Sequence, residues 1–180
     1  MNKILSLIAL VLLLSPLPAL AHIEKGNMPD SVAEMEYRIL LEFKPDDNTT
    51  RSLFGMALLR QNKLSEAEKE FRFLLKSDPK DFDAHDSLGL TLFKQKRYPE
   101  ARQELQTAII LHPDDILVHL HLGMTFGNTG QIEQARTTLA TGIRLLTAHP
   151  PPSPAKEQLL AEFQKAAASL PNNYTTKSHL

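Results

Sequence analysis

Residues 48–81 read NTTRSLFGMALLRQNKLSEAEKEFRFLLKSDPKD, and two close variants of that stretch follow it directly. Gly55, Gly89 and Gly123 lie 34 residues apart, as do Ala33, Ala67, Ala101 and Ala135, and as do Pro45, Pro79 and Pro113. Three residue types with three different backbone or packing roles share one period. A fixed period of this length marks a repeat architecture, and 34 residues is the length of a helix–turn–helix unit. Counting from Asn48, Phe82 and Ile116, each unit carries two helical patterns parted by a short polar turn.

The first helix of each unit shows Phe54, Gly55 and Leu58, then Leu88, Gly89 and Leu92, then Leu122, Gly123 and Phe126. Offsets of one, three and four residues define one apolar stripe. Glycine inside a helix costs about 0.8–1 kcal/mol against alanine, so its recurrence calls for a compensating close approach of the partner helix. That helix brings Ala67, Ala101 and Ala135 to the facing position, with Phe71, Leu105 and Leu139 four residues on. The turns read Gln61-Asn62-Lys63, Gln95-Lys96-Arg97 and Asn128-Thr129-Gly130. Pro79 and Pro113 end the second helices, because the residue before proline is pushed out of the α region; in the third unit the stop comes at Pro150.

These residues resemble the tetratricopeptide repeat (TPR) family: a small residue in the first helix, alanine opening the second, a large residue four later and a closing proline. The aromatic usual early in the first helix is replaced by Arg51, His85 and His119. Three repeats, 48–81, 82–115 and 116–149, cover more than half of the chain. The resemblance implies a stack whose first helices line a concave face. The positions it sends there are Ser52, Asp86 and Leu120; Met56, Leu90 and Met124; Leu59 and Phe93, with Gly127 as the third member; and Leu117, in register with Thr49 and Asp83. Arg60 and Lys94 run along one edge. An exposed apolar ribbon of this kind marks a binding surface, and methionine suits one that adapts to its ligand. Some family members grip a terminal carboxylate with lysine, asparagine and arginine. Here the corresponding positions hold Ser52, Met56, Ser87, Leu117 and His121, so recognition of that type is not expected.

Outside the repeats, Met1-Asn2-Lys3, the apolar run Ile4–Leu14 and Ala19-Leu20-Ala21 form a signal peptide over 1–21, with cleavage expected after Ala21. The apolar run is shorter than the roughly 20 residues of a membrane span. The chain has no cysteine, which rules out an anchor on a lipidated cysteine and fits a bacterial periplasmic setting. Residues 29–47 match a second helix, with Ala33, Tyr37, Leu40 and Pro45 in register and Ser31 with Glu34 reading as a capping box. This is half a repeat, expected to cap the first full one. A proline-rich connector (150–154) precedes a C-terminal capping helix (155–170), started by Ser153 and Pro154 and striped by Leu159, Leu160, Phe163 and Ala167. Residues 171–180 read as a disordered tail.

The formal charge of −1 offers no electrostatic footprint for nucleic acid. His119 and His121 are two residues apart and face different ways, whereas a helical metal pair needs three or four. His85 and His119 stand where packing residues belong, so neither metal nor cofactor is expected. Asp46, Asp47, Asp81, Asp83, Asp114 and Asp115 gather at helix starts, where they can cap free amides. No nucleophile elbow, phosphate loop or H-E-x-x-H motif occurs, and no enzyme activity is expected. The sequence therefore reads as an all-α, right-handed TPR solenoid, exported and non-catalytic. It would bind a peptide or helix of an envelope protein in a groove of Ser52, Met56, Leu59, Asp86, Leu90, Phe93, Leu117, Leu120 and Met124. The alternatives are a homo-oligomer whose groove a second copy fills, and a weak metal or small-ligand binder using His85, His119 and His121.

Overall fold

The structure is a computed structural model that describes residues 29–171. The signal peptide expected over 1–21, and the expected tail except Pro171, lie outside the described residues. Eight helices and no strand are found among those described: α1 (Asp30–Phe43), α2 (Asn48–Arg60), α3 (Leu64–Ser77), α4 (Phe82–Lys94), α5 (Tyr98–Leu111), α6 (Ile116–Asn128), α7 (Ile132–Ala148) and α8 (Ala155–Ala168). Each helix packs on the next in sequence. The first helices α2, α4 and α6 also touch one another in series, and α8 adds itself to that series against α6. The C-terminal helix thus stands where the first helix of a further repeat would stand.

The sequence period is a period of contacts. A methyl group added at Gly55 would lie 2.7 Å from Phe71, one at Gly89 2.5 Å from Leu105, and one at Gly123 2.6 Å from Leu139. The glycines therefore seat the large residue of the second helix rather than the alanine. Ala67, Ala101 and Ala135 are buried beside it. The seat continues at the C-terminal end, where Phe163 of α8 rests on Gly142 of α7.

Helix starts repeat as well. The carboxylates of Asp47, Asp81 and Asp115 accept hydrogen bonds from the amides of Thr50, Ala84 and Val118 at 3.2, 3.0 and 3.0 Å. Each satisfies an amide the helix itself leaves unpaired. Turns repeat in backbone sign: Asn62, Lys96 and Gly130 have φ of +60, +64 and +75°. Only the third of these is the residue that the left-handed region favours.

Two expected caps are absent. Pro29, not Ser31, precedes α1, and no side chain caps that helix; Glu34 instead binds Arg38 and Lys63, at 2.8 and 2.5 Å. Pro154 rather than Ser153 precedes α8, and the Ser153 hydroxyl donates to the Glu157 carboxylate at 2.6 Å. In both places a charged partner outcompetes a backbone amide for the side chain.

Candidate functional site

The first helices α2, α4 and α6 present two adjoining concavities, each about 570 Å³. One lies between α2, α4 and the start of α6 and is lined by Ser52, Met56, Leu59, Asp86, Leu90 and Leu117. The other lies between α4, α6 and α8 and is lined by Leu90, Phe93, Leu120 and Met124, with Glu162 and Lys165 of α8 and Leu170 just after it forming its far wall. Leu90 and His121 belong to both. The nine positions that the sequence sends to a groove thus line one continuous trough, and α8 borders it without crossing it.

Those nine side chains are not equally available. Met56 and Leu117 are 39% and 45% exposed, and neighbouring Leu53 is exposed too, although the sequence did not single it out. Ser52, Asp86, Leu90, Phe93 and Met124 are half-buried. Leu59 and Leu120 are only 6% and 2% exposed, so they belong to the core beneath the trough. The stripe that joins the stack and the stripe that faces outward share a helix, and these two leucines lie on the joining side.

The trough has an acidic end. Asp83, Asp86 and Asp115 stand beside the apolar residues of the first concavity. Burial raises the Asp83 carboxyl above its ordinary range, and the nearby charges of Asp81, Asp86 and Asp115 push it the same way, with His112 opposing. His112 itself stacks on Phe82 with ring centroids 4.3 Å apart. Between the two concavities His121 Nδ1 lies 2.8 Å from Asp86 Oδ1. The Ser87 hydroxyl donates to Met56 Sδ across the step from α4 to α2, at 3.6 Å. Arg60, expected along the edge, lines the first concavity and pairs there with Asp30 at 2.6 Å. Lys94 lines both halves of the trough.

The histidines work singly. His85 sits 2.7 Å from Glu104 and 3.1 Å from the Pro79 carbonyl. His119 binds the Asp115 carbonyl at 2.8 Å. No group of three metal-ligating side chains gathers among the described residues. The histidine at 85 belongs to a pattern the sequence reading missed. Arg51, one repeat earlier, bonds Glu70 and the Pro45 carbonyl, both at 2.5 Å. A base on the first helix thus reaches an acid 19 residues on and a loop carbonyl six residues back, in two successive repeats. It fills the place of the family's aromatic.

A second pattern binds repeat to repeat. Lys63 in the first turn pairs with Glu34 of α1 at 2.5 Å, and Arg97 in the second turn with Glu68 of α3 at 2.7 Å. The Lys63 hydrogen bond holds the Glu34 carboxyl below its ordinary range, against its own desolvation and helped by Gln61 and Arg38. Burial alone would raise Glu68, but hydrogen bonds from Gln95, Arg72 and Arg97 together hold it low.

Two family models described as Tetratricopeptide repeat match residues 53–116 and 92–150. Together they span more than half of the chain, and the protein belongs to the tetratricopeptide repeat family. No curated protein matches it in sequence. Among solved structures, MamA 41-end from Desulfovibrio magneticus RS-1 aligns with a TM-score of 0.64 at 20% identity, covering 74% of this chain and 73% of that one. The translocator chaperone SycD of Yersinia enterocolitica type III secretion aligns at 0.61 and 15% identity, over 69% of this chain and 91% of its own. PcrH, solved in complex with the chaperone binding region of PopD, aligns at 0.61 and 19% over the same shares. At these identities the likeness shows the fold: a right-handed superhelical TPR solenoid.

Proposed function

We propose that the protein is a non-catalytic adaptor that docks a helix or extended peptide of an envelope protein in the concave trough, assisting complex assembly or secretion. One observation carries the reading. Met56, Leu117 and Leu53 are exposed apolar side chains on the concave side, and no described element of the chain crosses the trough they line. Solvated apolar surface of this extent, rimmed by Asp83, Asp86 and Lys94, fits a protein partner. The family and its protein-binding structural neighbours support the same reading. The signal sequence at 1–21 supports export to a periplasm as the place where it acts.

A photoreactive residue placed at Leu90, where the two concavities meet, tests this in the cell. A crosslink to a different envelope protein is the expected result. A band at twice the chain's own mass would replace the adaptor with a self-filled groove.

A further inference from the structure

The period holds for α1 on the side that faces α2 and fails on the opposite side. Leu40 is in register with Leu74 and Ala108. Leu74 is 1% exposed and Ala108 fully buried, yet Leu40 is 41% exposed. Phe43, in register with Ser77, is 68% exposed, and Val32 and Ile39 are exposed beside it. Val32 stands where the later repeats have Glu66, Glu100 and Gln134. At a 3.6-residue period, Ile39, Val32, Phe43 and Leu40 form one continuous arc.

Glu66 and Ser77, in register with Val32 and Phe43, stay exposed in α3, and so does Phe73, in register with Ile39, with the Arg51 guanidinium over its ring. The part of the arc that the full repeats bury is the Leu40 edge. In α3 the neighbouring positions Glu70 and Phe71 both touch the preceding first helix α2, through Arg51 and Gly55. In α5, Glu104 and Leu105 touch α4 through His85 and Gly89. The matching positions in α1 are Glu36 and Tyr37. Glu36 has no hydrogen bond or ion pair among the described residues, whereas Glu70 and Glu104 each hold a base. Among the described residues α1 is therefore a second helix without its first, and Leu40 and the acid Glu36, whose counterparts the full repeats cover, are both open.

We propose that this face accepts a helix from another protein that packs as the missing first helix of the stack. The recognised segment is an amphipathic helix with glycine or alanine on its contact face, seated on Tyr37. An arginine, lysine or histidine stands four residues before that small residue, as Arg51 precedes Gly55 and His85 precedes Gly89. The chain's own upstream sequence does not fit in register. Positions 14–26 carry Pro18 at the place of Ser52, where it removes a donor the helix needs, with Leu17 in place of the base and Glu24 in place of Leu58. A second copy of α1 brings another Glu36, and its own Arg38 is engaged by Glu34 at 2.8 Å. This surface lies apart from the concave trough, and the two proposals stand or fall separately.

The probe is a fluorescein-labelled, end-blocked peptide with the sequence of residues 47–61, titrated with the full chain and read by fluorescence anisotropy. Saturable binding is expected. Leu40→Asp should weaken it at least tenfold, with melting curves showing that the variant still folds, whereas Phe43→Asp, in register with the exposed Ser77, should leave it nearly unchanged. Leu90→Asp in the trough should leave it unchanged. Glu36→Gln should weaken binding about threefold, the range of a partly exposed ion pair. Arg51→Ala in the peptide should do the same, with no further loss when the two are combined. As a covalent counterpart, the sequence of 48–62 placed in register over 14–28 should raise Tm. Absence of both peptide binding and the Tm gain overturns the proposal, as does binding that survives Leu40→Asp. A peptide-free dimer split by Leu40→Asp would assign the face to a second copy instead.

Discussion

Gly89→Ala in α4 is the sharpest test of the repeat's packing logic, because two effects of known sign oppose each other there. Alanine is the better helix former by about 0.8–1 kcal/mol, so a helix in isolation would gain. In the stack the new methyl would sit 2.5 Å from Leu105 Cγ and 2.8 Å from its Cδ2, with the Ala101 carbonyl oxygen at 3.4 Å on another side. Leu105 is fully buried, so it cannot swing into solvent to make room. Overpacking of this kind costs about 1–3 kcal/mol. The clash at least offsets the propensity gain, leaving a net loss of up to about 2 kcal/mol, or up to about 8 °C in Tm for a domain of this size. Urea or thermal unfolding followed by circular dichroism measures it. Repeating the substitution over Leu105→Ala supplies the control. Leu105→Ala alone costs about 2–5 kcal/mol through the cavity it leaves, and in that background the added methyl enters empty space, so Gly89→Ala should become neutral or stabilising. A gain in stability from Gly89→Ala alone, or an equal loss in both backgrounds, would refute the claim that the glycine exists to seat Leu105.

Other tests follow from the same geometry. Lys96 holds φ +64°, where a side chain costs roughly 1–2 kcal/mol; Lys96→Gly should raise Tm by up to a few degrees, whereas Gly130→Ala at φ +75° should lower it by thermal melting. Leu90→Asp should abolish pull-down of the trough's partner while the helical circular-dichroism signal stays intact. Glu34 and Glu68 have folded pKa values below the unfolded ones. Their contribution is therefore complete above the unfolded carboxylate pKa of about 4.3 and is lost as pH falls through the folded values. Chemical denaturation midpoints should drop across that acid window, and Glu34→Gln with Glu68→Gln should flatten the drop.

Most of the architecture was legible because the period carries it. Gly55, Gly89 and Gly123 announce a tight contact, and Pro79 and Pro113 announce where a helix stops. What the period cannot carry is exposure, which depends on whether a neighbour is there. Leu59 and Phe93 share a register position, yet one is buried and the other half-buried. Leu40 and Leu74 share another and differ far more. The missed ion pairs had a signal in plain view: Arg51 and Glu70, like His85 and Glu104, are 19 residues apart. The misread capping box had one too, since Glu34 stands in register with Glu68 and both answer to a base 29 residues on. In each case a second copy of the pairing, rather than local spacing, was the informative observation.

The copies are nonetheless unequal, and the inequality runs along the stack. At the N-terminal end, first and second helices are joined by Arg51 and Glu70, and neighbouring units by Glu34 with Lys63 and Glu68 with Arg97. In the third repeat the base at 119 faces Thr138 in the matching position, and Gln131 replaces the turn cation. His119 turns instead to its own helix, at the Asp115 carbonyl. Apolar packing takes over there, with Leu139, Leu146 and Phe163 all buried around Gly142. Ion pairs at partly exposed positions contribute little each and weaken with salt, whereas buried aromatic and leucine contacts do not. The N-terminal end of the described stack, which leaves Leu40 and Glu36 open, is held by buried packing such as Phe71 on Gly55 and, in addition, by ion pairs that salt adjusts. That pairing favours α1 as the place where the stack can be extended by another helix, and α8 as the place where it is closed.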